Sequence, residues 1–267
     1  MDSGKKTSIA NIKSFYSKWR GMNSGLAGIF AIIIIGVFPL AFRDYYFDIL
    51  NFKTFFYYKV VIIFAVVFLM VNVIFLILSI YLGCDRSTGR RRKICASDWS
   101  MLDFILIAGI STLQSATPAA ALLGNDGRYS GLLIWIAYAF MYFAVRRSLR
   151  LRQWYLDLFL GAGMGACIIG ILQYFDIDPI GFKNLMDPGQ YYMFTSTIGN
   201  INTYTSYAAM LAGASVLLFF TEEVRIRKTW YLFCMSISFA ALITGMSDNA
   251  YLAIFALIGL LPLYAFK

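Results

Sequence analysis

Arg128 stands in NDGRYS, residues 125–130, a polar gap between two long apolar runs. A guanidinium there presents a planar fork of donors suited to phosphate oxygens. Asn-Asp-Gly is equally a strong turn signal, so the plainer reading is a tight turn with Arg128 resting against lipid headgroups. Three other polar stretches interrupt apolar sequence: RDYYFDILNFKTFFYYK (43–59), DIDPIGFKNLMDPGQYYMFTST (176–197) running into IGNINTYTSY (198–207), and MSDNAY (246–251). Asn200, Asn202, Thr203, Thr205 and Ser206 crowd the start of an apolar run, where amides are costly unless a neighbouring helix, water or a ligand partners them. Helical spacing places Asn200, Thr203, Tyr204 and Tyr207 on one side and Asn202, Thr205 and Ser206 on another. A helix starting there offers unpaired N–H groups and a dipole to an anion, and the same residues can equally glue helices together. Asp248 is a possible base, but Asp-Asn at a helix junction reads first as a turn.

The residues that are missing exclude several chemistries. There is no histidine, which removes His-dependent triads and His metal sites. Cys84 and Cys95 flank a loop without metal-ligand spacing, and Cys167 and Cys234 fall inside apolar runs, so neither a disulfide framework nor a zinc site is indicated. No metal and no cofactor are expected.

The elements that must position these residues are membrane spans. The chain is 60% hydrophobic and 14% charged, and runs such as LAGIFAIIIIGVFPLAF and VVIIFAVVFLMVNVIFLILSIYL can each cross about 30 Å of hydrocarbon. The expected fold is an all-α integral membrane protein of about eight transmembrane helices, near 24–42, 60–82, 101–123, 130–145, 155–175, 198–220, 230–247 and 251–266. The first run is too long for a signal peptide and has no cleavage site after it. With the N-terminus inside, 18 of the 23 Lys and Arg fall on the cytoplasmic side. The five outside are Arg43, Lys53, Lys59, Arg128 and Lys183, so the positive-inside rule predicts cytoplasmic termini, a basic cytoplasmic tail over residues 1–23, and all four polar stretches on the outer face. The net charge of +9 then meets anionic membrane lipids, and no nucleic acid partner is needed. Small residues one helical turn apart, Gly161 with Gly165 and Ala209 with Gly213, predict close helix contacts. The Gly161, Gly163, Gly165 pattern is no nucleotide loop, since it lies within a span and follows no strand.

The order of FPLAFRDYYFDILNFKTFFYYK, LLGNDGRYSGLLIWIAYAFMYF, STIGNINTYTSYAAMLAG and GMSDNAYLAI resembles the O-antigen ligase and O-antigen polymerase family, over most of the chain from about residue 36. The resemblance implies a membrane glycosyltransferase of the bacterial cytoplasmic (inner) membrane, serving cell-surface polysaccharide synthesis in the cell envelope. Its donor is a glycan on undecaprenyl pyrophosphate, its acceptor another glycan or lipid, and it uses neither nucleotide sugar nor metal. By analogy Arg128 and the segment Gly199 to Asn202 line the donor pocket. The candidate substrate-binding residues are Arg128, Asp126 and Tyr129 of the NDGRYS turn, Asn200 and Asn202, and Lys183 of the longest outer loop; no catalytic residue is assigned. Family members carry a late outer loop with essential Arg and His. The expectation is therefore that residues 1–267 form a single transmembrane helical domain, the N-terminal portion of a larger enzyme and inactive alone. The competing expectation is a multi-pass transporter or lipid-linked glycan flippase, marked by broken helices, inverted repeats and ionisable residues near the midplane.

Overall fold

The computed structural model describes residues 2–83, 94–125 and 129–265, and side chains within 14–83, 94–125 and 129–259. It is 77% helical, and six of its helical segments are long and apolar enough to cross a membrane: Ser14–Val37, Ile49–Tyr81, Ala96–Leu113, Gln153–Tyr174, Ile201–Thr221 and Arg225–Gly245. By length and composition these helices give the architecture of an all-α, multi-pass membrane protein. The helices in chain order are α1 (Asp2–Ile32), α2 (Ile49–Tyr81), α3 (Ala96–Leu113), α4 (Pro118–Leu123), α5 (Leu132–Ser148), α6 (Gln153–Tyr174), α7 (Ile201–Thr221), α8 (Arg225–Gly245) and α9 (Asp248–Ala265). At 17 residues α5 is shorter than the six, as is the apolar stretch Asp248–Gly259 of α9.

Three element boundaries differ from those expected. The N-terminal tail is helical and continuous with the first span. The second helix begins at Ile49, because the aromatic segment FKTFFYYK is helical although it is not aliphatic. The third expected span, 101–123, is not one helix: α3 ends at Leu113 and α4 begins at Pro118. Proline has no N–H to give an upstream carbonyl and suits the first turn of a new helix.

The chain divides into two compact units. In the first, residues 1–31 and 54–151, α1 packs on α2 through Phe30 and Phe64, whose ring centroids are 4.9 Å apart. A polar pair joins the same helices: Asn72 Nδ2 donates to Asn23 Oδ1 at 3.1 Å, and Asn23 Nδ2 and Trp19 Nε1 both donate to Asn72 Oδ1. Amides that satisfy each other are the form in which such groups are tolerated within hydrocarbon. Phe104 on α3 meets Trp135 on α5, and Tyr57 on α2 meets Tyr138 on α5. Large apolar side chains remain exposed along α2 and α3, Ile62, Ile63, Leu106 and Ile107 among them, as a lipid-facing surface requires.

The second unit, residues 32–53 and 152–267, has its core among α6, α7, α8 and α9: Leu160, Met164, Cys167, Tyr204, Ala208, Leu211, Tyr231, Cys234, Ala241 and Ala250. Close contact falls only partly where expected: a Cβ on Gly165 would lie 3.3 Å from Leu40 and one on Gly213 3.7 Å from Leu257, but the tightest approaches are at other glycines. A Cβ on Gly161 would meet nothing, whereas one on Gly163 would overlap Leu211, one on Gly170 would overlap Tyr204, and one on Gly245 would overlap Thr205. Spacing identifies a small-residue stripe but not which side of the helix faces its neighbour. The first span ends in a π-helical turn, Ile33–Val37, closed by Phe38 N–H donating to Ile33 O at 2.8 Å. Between α6 and α7 the chain forms a 3-10 turn, Pro188–Met193, and a two-stranded antiparallel hairpin, β1 (Phe194–Thr195) and β2 (Gly199–Asn200), paired Phe194 with Asn200 and Thr195 with Gly199.

Candidate functional site

Asp126 and Arg128 lie outside the described residues; the frame that carries them does not. Gly124 has φ +85°, open to glycine at little cost, and a Cβ there would come within 2.7 Å of Gly131 N. Gly131 is equally crowded by the backbone of Leu122 and Leu123. The segment between α4 and α5 is therefore pinched at its base by two glycine backbones in contact. Tyr129 N–H donates to Asn125 O at 3.0 Å, and Tyr129 takes positive φ with its ring 5.7 Å from that of Phe55. The expected turn itself falls on residues 126–128, outside the described residues; what is described is that its flanks, Gly124 and Gly131, lie in contact.

The other candidates belong to the second unit, at the end where α6 finishes and α7 begins. Gln173, in the last turn of α6, is 2% exposed and is the hub of this end. Its Oε1 accepts from Ser196 N–H at 2.7 Å and from Tyr46 Oη–H at 3.0 Å, and its Nε2 donates to Asp178 Oδ1 at 3.2 Å. Asp178 Oδ2 in turn accepts the N–H of Lys183 at 2.7 Å. One amide thus ties the 38–48 loop, the 175–193 segment and the hairpin together. Burial pushes the Tyr46 phenol above its ordinary range, so it stays a neutral donor.

The hairpin turn is anchored beneath this hub. Ser196 Oγ donates to Ala166 O at 2.6 Å, and Thr197 Oγ1 donates to Pro39 O at 2.8 Å. Pro39 O and Phe38 O also accept from Lys53 Nζ, at 3.2 and 2.9 Å, which satisfies carbonyls left over where the first span stops. Gly199, at φ +98°, takes a conformation that side chains avoid.

Asn200 is the N-cap of α7: its Oδ1 accepts the N–H of Asn202 at 3.0 Å and of Thr203 at 3.3 Å. Two of the N–H groups that a helix start offers an anion are therefore already taken by the chain itself. Thr205 reaches Ser247 Oγ at 2.8 Å, joining α7 to the start of α9, where Ser247 Oγ accepts the N–H of Ala250 at 3.3 Å. MSDNAY is thus a capped helix start with Asp248 and Asn249 exposed. Of the polar run on α7, Thr205 serves as helix glue, while Asn202, Thr203 and Ser206 stay exposed.

Basic residues expected outside divide by use. Arg43 pairs with Asp44, Nε to Oδ2 at 3.3 Å, and with Asp48, whose carboxyl it holds below the usual range. Lys53 is spent on Phe38 and Pro39. Lys183 is half-buried with its ammonium 5.5 Å from the centroid of the Tyr191 ring. Tyr129 sits in the first unit, and Lys183, Asn200 and Asn202 in the second, where the Asp178–Gln173–Ser196 chain connects them.

Gln173, Tyr46, Ser196 and Thr197 were not among the residues singled out by sequence. The usable signal was an amide at the end of an apolar run, GILQYF, which needs a buried partner for the same reason as Asn200. Among the described residues no group of three or more Cys, Asp or Glu is placed to hold a metal ion. No protein-family model matches the chain, and neither the curated proteins nor the solved structures give a match.

Proposed function

We propose that the chain is part of a membrane-embedded glycan ligase or polymerase. It takes a glycan from undecaprenyl pyrophosphate at the outer face of a bacterial cytoplasmic membrane and passes it to a glycan or lipid acceptor. In this reading eight segments span the bilayer, both termini are cytoplasmic, and the α6–α7 end and the NDGRYS turn face out. By the family resemblance Arg128 is the first candidate to meet the pyrophosphate, and Lys183 and Asn202 of the second unit are separate candidates to contact the donor by charge and by hydrogen bonding. Asp126, Tyr129 and Asn200 complete the candidate donor-binding residues, Asn200 also capping the start of α7.

The observation that carries the reading is the buried scaffold around Gln173. It holds three polar segments together where α6 ends and α7 begins, with Asn202, Thr203 and Ser206 left exposed beside it. A bundle built only to sit in lipid has no need of such an assembly. The break between α3 and α4 is a feature shared with transporters, but its residues, Gln114 to Thr117, carry no ionisable group.

The test is transfer of a labelled undecaprenyl-pyrophosphate-linked glycan by membranes carrying the protein as its gene encodes it, compared with Arg128→Ala. Loss of one charge-assisted contact to phosphate, about 1.5–3 kcal/mol, lowers transfer by roughly 10- to 100-fold. Equal transfer by the two proteins, or movement of a solute across liposomes with no glycan turnover, overturns the proposal.

A further inference from the structure

The connection between α6 and α7 turns large apolar side chains in two directions. Phe182, Ile180 and Met186 point inward and pack with Tyr46 and Ile49. Facing away from that core, Leu185 is 85% exposed and Tyr192 73%, with Phe175 and Ile177 also exposed, and Phe47 of the neighbouring loop is 98% exposed. The two loops share a base, since the rings of Phe42 and Tyr46 lie 4.7 and 4.9 Å from that of Phe182. A loop standing in water would turn its polar residues outward and keep side chains such as Leu185 and Phe47 covered.

We propose that this end of the second unit is an interfacial platform, with Phe47, Leu185 and Tyr192 inserted at the boundary between lipid headgroups and acyl chains. Its partner is the bilayer that the apolar helices cross, and the continuity is direct: α6 ends at Tyr174 and α7 begins at Ile201, so the segment between them starts and finishes where two spanning helices stop. Backbone resting at that depth needs its polar groups occupied, and Asp178 does this by accepting the N–H of Lys183 at 2.7 Å. Aromatic side chains with one polar edge, as in Tyr192, are the residues that settle at this level, and aliphatic Leu185 adds buried area. A sugar is a poorer fit, because Leu185 offers no flat face for a pyranose ring. The inference concerns the lipid surface alone and does not rest on the glycan donor.

Nitroxide labels at Phe47→Cys, Leu185→Cys and Asp187→Cys, in a chain with Cys84 and Cys95 replaced by Ser, test it in lipid nanodiscs. All three positions are exposed or partly exposed, so the labels require no repacking. Power saturation compares collision with oxygen, which concentrates in hydrocarbon, against a water-soluble nickel chelate. Labels at 47 and 185 are expected to favour oxygen, as a label at lipid-facing Ile62 does, while the label at 187 favours nickel. Preference for nickel at either 47 or 185 overturns the proposal. So does protection of those labels only after undecaprenyl-linked glycan is added, which would assign the surface to sugar.

Discussion

Replacing Gln173 with Leu keeps the volume of the side chain and removes its polar atoms. The two donors that lose their acceptor, Tyr46 Oη–H and Ser196 N–H, belong to residues 5% and 0% exposed, so water does not take over. Each buried, unsatisfied donor costs about 1–3 kcal/mol, which puts the local penalty at about 2–6 kcal/mol. Asp178 loses a donor too, but it is only partly buried and solvent compensates. The penalty falls on the hairpin and the 38–48 loop and leaves the packing of α7 on α8 intact. Hydrogen–deuterium exchange of the detergent-solubilised protein reads it directly: peptides covering 194–200 exchange at least about 30-fold faster, the factor for 2 kcal/mol, while those of the α7–α8 core keep their protection. Unchanged exchange at 194–200 in Gln173→Leu, or equal loosening across α7 and α8, would refute the reasoning.

Other variants separate the remaining claims. Gly163→Ala drives a methyl group into Leu211 and costs about 1–3 kcal/mol, seen as a lower unfolding temperature, while Gly161→Ala meets nothing and is neutral or stabilising; equal effects would contradict the packing. Asn200→Ala removes the α7 cap, about 1 kcal/mol, so the amides of Asn202 and Thr203 exchange about 5-fold faster. Cys95 has its thiol lowered from the ordinary range, first by the Ser97 hydroxyl and further by Arg146. Its thiolate therefore forms at lower pH than that of a free cysteine, and its alkylation rate climbs earlier on the pH axis. Ser97→Ala moves that profile to higher pH, and a profile already matching free cysteine would contradict the assignment.

The apolar runs made the helices legible, because hydrocarbon demands long stretches with few charges and the sequence shows them plainly. Less legible was where each helix stops. FKTFFYYK reads as a loop by hydropathy, yet its aromatic side chains pack while its backbone stays helical. Pro118 lies inside an apolar run whose hydropathy hides the break before it. Spacing pointed to Gly161 and Gly165, but only tertiary contact decides that Gly163 and Gly170 receive the neighbouring helix. At the candidate site the turn in MSDNAY was readable from local rules, whereas Asn200, read as lying on a helix face, is instead the N-cap of α7. The hub was not readable, since Gln173, Tyr46 and Ser196 are distant in sequence and each is ordinary alone. Local pattern carries no record of such long-range pairing, apart from the warning that a lone amide in an apolar run must have a partner.

The most direct test of the central claim is binding of an undecaprenyl-pyrophosphate-linked glycan to the protein in nanodiscs. The account predicts saturable binding, weakened about 10-fold or more by Arg128→Ala and untouched by Arg225→Ala, a basic residue at the opposite end of α7 and α8. Absence of saturable binding, or equal affinity in the wild-type and Arg128→Ala proteins, would contradict it.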